Sequence, residues 1–202
     1  MRICEYTSGG PACRFGDAHI YYALSILYEN GRMGRRVLAD SIGVGEGSLR
    51  TMISSMKDWD LINVSRGGIG ISEIGRRFFT SIALDVVDVP RSDYVVGTFQ
   101  RGVVARGAAG NVTNGMDQRD TAIIAGADGA SVFLIRNGEL IMPPAWCMDE
   151  RDPDFASAIR SRTAMDDGDV MIISGAGDPD VAAVSAIAAG LGILRCTCTV
   201  AS

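Results

Sequence analysis

The stretch GEGSLRTMISSMKDWDLI, residues 45–62, splits into two chemical sides along its length. Leu49, Met52, Ile53 and Met56 share one side of a helix, and Arg50, Thr51, Ser54 and Lys57 share the other. A solvated helix face in an acidic protein is more often built from Glu and Lys. Short hydroxyl donors beside a guanidinium fit phosphate oxygens and the hydrogen-bonding edges of bases instead. In this scheme Arg50 reads a base edge or a close phosphate, Ser48, Thr51 and Ser54 are short-range donors, and Lys57, Arg35 and Arg36 meet phosphates. Arg66, ahead of Gly67-Gly68, reaches an adjacent minor groove or the backbone. Glu46 works against this, because a carboxylate near phosphates costs affinity unless it accepts from a cytosine or pairs with Arg50 one turn on.

Two further groupings carry chemistry. Gly175-Ala176-Gly177-Asp178 joins a Val/Met/Ile-rich strand to an Ala-rich helix, and the free N–H groups of a helix start favour anions. The third glycine of the dinucleotide fingerprint and the lysine of a Walker loop are both missing. Asp178 and Asp180 would oppose a bare phosphate, so a hydroxyl- or amine-bearing ligand, or a metal-bridged one, fits better. The plain structural reading makes Asp178 an N-cap and Pro179 the first helical residue. The second grouping is Asn114, Asp117, Gln118, Arg119 and Asp120 at another helix start. Asn114, Gln118, Arg119, Gly175, Gly177 and Asp178 form one ligand site only if these two segments lie side by side.

The elements that must position these residues follow from periodicity and punctuation. A helix opens at Asp17, carries Ile20, Leu24, Leu27 and Tyr28, and stops at Asn30-Gly31. His19 reads as a surface or partly packed histidine. Arg35–Ile42 and Glu46–Trp59 are two helices broken by Gly43-Val44-Gly45, the spacing of a helix-turn-helix. Ile62 and Val64, a glycine turn, then Ile69 and Ile71 predict a hairpin. Ser72 caps a closing helix with Ile74, Phe78 and Ile82 on one face. Beyond Pro90, strands are expected at 94–99, 103–106, 131–135, 139–142, 169–174 and 193–200, with helices at 116–125, 154–163 and 178–190.

Composition bounds the rest. The 202 residues are 47% apolar with 25 glycines, enough for one large or two small domains. Residues 1–84 carry a formal +2 and residues 85–202 a formal −7, giving −5 in all. That asymmetry suits a nucleic-acid-binding head on an acidic body. No window is apolar enough for a membrane span, and the first residues lack the apolar core of a secretory signal. The five cysteines read as reduced thiols in a cytoplasm, with Cys196 and Cys198 on one strand face as a structural thiol pair. One histidine leaves no Ser-His-Asp or Cys-His set, so no catalytic residue, metal or cofactor is assigned.

The run DLINVSRGGIGISEIGRRFF resembles the end of MarR-like winged helices, where the wing runs into a Ser/Thr-x-x-Gly helix start. With GPACRFGDAHIYYAL, GRRVLADSIGVGEGSLRT, GMDQRDTAIIAGADGA and GDVMIISGAGDPDVAAVSAIAAGL, the chain resembles an archaeal family of uncharacterised proteins with an N-terminal winged helix and a C-terminal domain of unknown function. The resemblance implies a transcriptional regulator and supplies no ligand. Trp59-Asp60 departs from it, standing where winged helices often have a small residue or glycine. The expectation is an α+β chain with a winged helix-turn-helix in 1–84, a linker in 85–93, and an α/β domain with a mixed sheet in 94–202. It would bind double-stranded DNA as a cytoplasmic homodimer, the second domain dimerising, sensing a small-molecule effector, or both. The alternatives are an enzyme using the second domain, or a protein–protein adaptor.

Overall fold

A computed structural model describes residues 15–197, the last three through their backbone alone. Cys4, Cys13 and Cys198 lie outside the described residues. The chain divides into two units, Met1–Ile82 and Ala83–Ser202.

The first unit contains α1 (Asp17–Asn30), α2 (Arg35–Ile42), α3 (Glu46–Asp58), the antiparallel pair β1 (Ile62–Ser65) and β2 (Gly68–Ile71), and α4 (Glu73–Ser81). Its core joins Ile20, Leu24 and Leu27 of α1 to Leu38 and Ile42 of α2, Met52 and Met56 of α3, and Ile69 of β2. Gly43 takes a left-handed conformation (φ 71°), so Val44 N–H can donate to the Ala39 carbonyl at 3.1 Å and α2 ends where α3 must begin. Met33 pairs with Ile69 and adds a third strand position to the hairpin. Asp60 also sits at positive φ (55°). The turn into the wing therefore keeps a left-handed position, filled by Asp where glycine costs least.

Two details of this unit differ from expectation. The cap of α1 is Gly16, one residue before Asp17. Its N–H donates to His19 Nδ1 at 3.2 Å, so His19 works as part of the cap. On α4, Phe78 packs on the core as expected, but Ile74 is 54% exposed and Phe79 joins instead, its ring 5.1 Å from Tyr21 and 5.0 Å from Tyr28.

Burial lowers the His19 pKa below 6.5. Only the neutral ring can accept from Gly16, so this stability is present above pH 6.5 and lost as pH falls through the depressed folded value. In an NMR titration the Gly16 amide should shift with a midpoint below 6.5. A midpoint at or above 6.5 would refute the cap.

The second unit is a six-stranded sheet in the order β3 (Leu84–Val87), β4 (Phe99–Ala105), β8 (Val170–Ala176), β5 (Gly129–Arg136), β6 (Glu139–Met142) and β7 (Trp146–Cys147). Every neighbouring pair is antiparallel, which replaces the expected mixed sheet. The reason is the path of the chain: β8 enters late and inserts between β4 and β5, running against both. The chain is α+β. Alternation along the strands turns Val104, Phe133 and Met171 toward α6 (Met148–Arg151) and α7 (Pro153–Arg160). The opposite face carries α5 (Met116–Ile124) and α8 (Pro179–Thr197), and Gly190 lets α8 settle against Leu84 and Val103. Asn137 and Gly138, both at positive φ, make the expected tight turn between β5 and β6.

Three expectations for this unit are corrected. Residues 84–87, partly read as linker, form the edge strand β3, because their apolar side chains have β4 to pair with. Residues 94–98 are irregular, and one strand replaces the expected strands at 94–99 and 103–106. The last strand expected at 193–200 is absent from the described residues: α8 continues to Thr197, so the backbone of Cys196 is helical rather than extended.

Candidate nucleic-acid interface

The turn at Gly43 and the N-cap at Gly45 set α3 so that Leu49, Met52, Ile53 and Met56 are buried. The opposite side is consequently open: Arg50, Thr51, Ser54 and Lys57 are exposed, and Ser48 is half-buried. Arg50 makes no ion pair among the described residues, with Glu46 or with any other carboxylate. Thr51 Oγ donates back to the Gly47 carbonyl at 3.3 Å, which leaves its oxygen free to accept. Arg35 and Arg36 sit exposed in the first turn of α2, with Arg36 4.0 Å from Asp40. Such a fully solvated pair contributes little and is readily exchanged for a phosphate. Arg66 is exposed at the hairpin tip. All eight residues thus lie on three solvent-facing segments of one small unit: α2, α3 and the wing.

One residue of this surface was missed in the sequence. Arg32, between α1 and α2, donates to Ser65 Oγ at 2.9 Å and to the Gly68 carbonyl at 3.3 Å. The available signal was Met33, a lone apolar residue between two helices, which pairs with the wing and carries its neighbour there.

The wing ends in a tightly specified joint. Ser72 N–H donates to the Leu61 carbonyl at 3.0 Å, and Ser72 Oγ accepts from Gly75 N–H at 2.8 Å. A Cβ on Gly75 would stand 2.0 Å from the Leu61 oxygen. The Ser-x-x-Gly motif therefore has a steric origin: the first turn of α4 rests directly on the backbone that opens the wing.

The expected ligand group of the second unit is not brought together. A Cβ on Gly126, just past α5, would stand 3.2 Å from Val181 of α8, and Asp128 N–H donates to the Gly175 carbonyl at 2.8 Å. Gly175, Gly177 and Asp178 are thus at the C-terminal end of α5. Asn114, Gln118 and Arg119 are at its start, where Gly115 packs on Val132 and Asn111 donates to the Ile193 carbonyl. About 13 Å of helix separates the two ends. Each member has a local role or none: Asn114 Oδ1 accepts from Met116 N–H at 3.0 Å, Gln118 is buried, and Arg119 is exposed. Asp178 Oδ1 accepts from Asp180 N–H at 2.8 Å and Val181 N–H at 3.2 Å, as an N-cap does. A Cβ on Gly175 would meet the Val96 carbonyl at 2.1 Å, so that glycine serves a chain crossing. Burial, then Asp178, raises the Asp180 pKa, with Arg101 opposing. Clefts of about 630 Å³ beside Tyr94 and Asp152 and about 350 Å³ beside Arg160 and Met165 include none of the six residues. Among the described residues no three His, Cys, Asp or Glu side chains are placed to hold a metal ion.

With this geometry in view, the comparisons divide along the same line. Residues 19–84 match the CggR N-terminal DNA-binding domain, and residues 96–194 match a domain of unknown function, DUF4443. The MarR-like resemblance rests on the wing and cap motif alone. Among solved structures the chain is similar to hypothetical protein PH0730 from Pyrococcus horikoshii OT3, at 22% identity and a TM-score of 0.74, over 90% of this chain and 94% of that one. No protein of curated function matches. The first unit is thus of a DNA-binding type, joined to a unit of unknown function. No helix among the described residues is long and apolar enough to cross a membrane.

Proposed function

We propose that the protein is a cytoplasmic transcriptional regulator that lays α3 in the major groove of double-stranded DNA and the wing against the neighbouring backbone. The observation that carries this is the α3 surface: its apolar side is buried, while Arg50 and Lys57 stand exposed without ion-pair partners among the described residues. The match of residues 19–84 to a DNA-binding domain supports it. The resemblance to an archaeal family of uncharacterised proteins with an N-terminal winged helix points the same way. The acidic second domain serves as a dimerisation or effector-sensing module rather than an enzyme, and pairing two half-sites multiplies the limited affinity of one winged helix.

Genomic footprinting of the tagged protein, repeated with Arg50→Ala, tests the reading. Sequence-specific peaks should appear and be lost in the variant. On a recovered duplex Arg50→Ala should weaken binding roughly 10- to 100-fold, the loss of one good base or close phosphate contact. A wild-type protein that ignores duplex DNA even in dilute salt would remove the proposal.

A further inference from the structure

The wing tip, Ser65-Arg66-Gly67-Gly68, has two consecutive glycines and no apolar side chain. By itself such a tip samples many conformations, and Arg66 would be ordered only on binding, at a cost in affinity. The structure supplies a restraint from outside the hairpin. Met33 and Ile69 exchange two backbone hydrogen bonds, of 3.0 and 2.9 Å, which carries the backbone of residue 32 alongside β2. Arg32 then reaches the tip, donating to Ser65 Oγ and to the Gly68 carbonyl. Ser65 Oγ also accepts from Gly67 N–H at 3.2 Å, so one hydroxyl ties the guanidinium to the turn. Two glycines make room for this approach. A Cβ on Gly70 would strike the Arg32 stem at 2.8 Å, and one on Gly68 would strike the Met33 oxygen at 2.5 Å.

We infer that Arg32 is a positioning residue for the wing: through Ser65 and Gly68 it fixes where the Arg66 guanidinium stands before a duplex is met. The inference rests on the DNA-binding reading and adds to it that the wing is set in advance. Both bonds leave Nη1, whose two N–H groups are fixed in the guanidinium plane, where an ammonium would act as a mobile point charge.

Ser65→Ala and Arg32→Lys both preserve net charge, which separates positioning from a direct phosphate contact by Arg32. Each should weaken binding to a footprinted duplex about three- to tenfold, the cost of ordering one long side chain, and leave the salt slope unchanged. Arg66→Ala should instead lower the slope by about 0.9. In an Arg66→Ala background both substitutions should be silent. In the free protein, both should lower the 15N heteronuclear NOE of Gly67. Unchanged affinity in Ser65→Ala, an equal loss in the Arg66→Ala background, or an unchanged NOE would overturn the inference. A wild-type protein that binds no duplex, with the NOE responding as expected, would instead remove the DNA-binding reading and leave the restraint on the wing standing.

Discussion

Replacing Asp169 with alanine should destabilise the second domain by about 3–4 kcal/mol, the largest effect expected of a single substitution outside the apolar core. Its side chain is 6% exposed at the start of β8. Oδ2 receives Arg106 Nη1 at 2.7 Å and Asp166 N–H at 3.0 Å, and Oδ1 receives Gly107 N–H at 2.9 Å. One carboxylate thus joins the end of β4 to the turn leading into β8. Alanine would leave two backbone donors without their acceptor, while Arg106 keeps Asp85. Burial acts to raise the Asp169 pKa, but the hydrogen bonds from Asp166, Gly107 and Arg106 outweigh it and hold the carboxyl below its ordinary 3.8. Its folded pKa is depressed, so this stability is complete above about pH 4–5 and lost as pH falls through the folded value. Hydrogen exchange at Ile172, in the middle of β8, reads the effect. Protection in the variant should drop at pH 7, and the difference from wild type should narrow as pH falls well below 3.8. Exchange matching wild type at neutral pH would show that the carboxylate does not hold this corner.

Gly75→Ala should cost the first domain about 3 kcal/mol, at the upper end of the usual overpacking range. The new methyl would stand 2.0 Å from the Leu61 oxygen, which already receives Ser72 N–H. Backbone is on both sides of the contact, so neither side can relieve it by a rotamer change. To make room, α4 must lift away from the wing joint, weakening the Phe79 contacts with Tyr21 and Tyr28. Gly47→Ala is the control, since a Cβ there has open space around it. Thermal unfolding followed at the first domain's tyrosine-rich core should separate the two by roughly 12–24 °C. Equal transitions would mean that the joint opens without strain.

The first domain was legible because its determinants are local. The apolar periods of α1, α2 and α3, Gly43 at the turn, the hairpin and the Ser72 cap each sit within a few residues of what they decide. The exposed side of α3 followed, since naming the buried side names the open one. Arg32 escaped because its role depends on β2, more than thirty residues away. In the second domain the errors are non-local too. Residues 94–98 look like a strand by composition, but they cross the sheet end so closely that Gly97 and Gly175 cannot carry a Cβ. The segment 193–197 is β-prone in isolation, yet it extends an Ala-rich helix already seated on β4. Gly175 suggested a ligand loop because sequence records the missing side chain and not what occupies the space, here the Val96 carbonyl.

The place of β8 in the sheet has a consequence for biogenesis. The strands on either side of it are translated well before it, so β4 and β5 must wait with one hydrogen-bonding edge each unmet until residues 170–176 leave the ribosome. The winged helix, built from near neighbours, faces no such delay. A nascent chain halted in that interval would carry a finished head and an adhesive, half-made body, and that interval is when a chaperone would matter most.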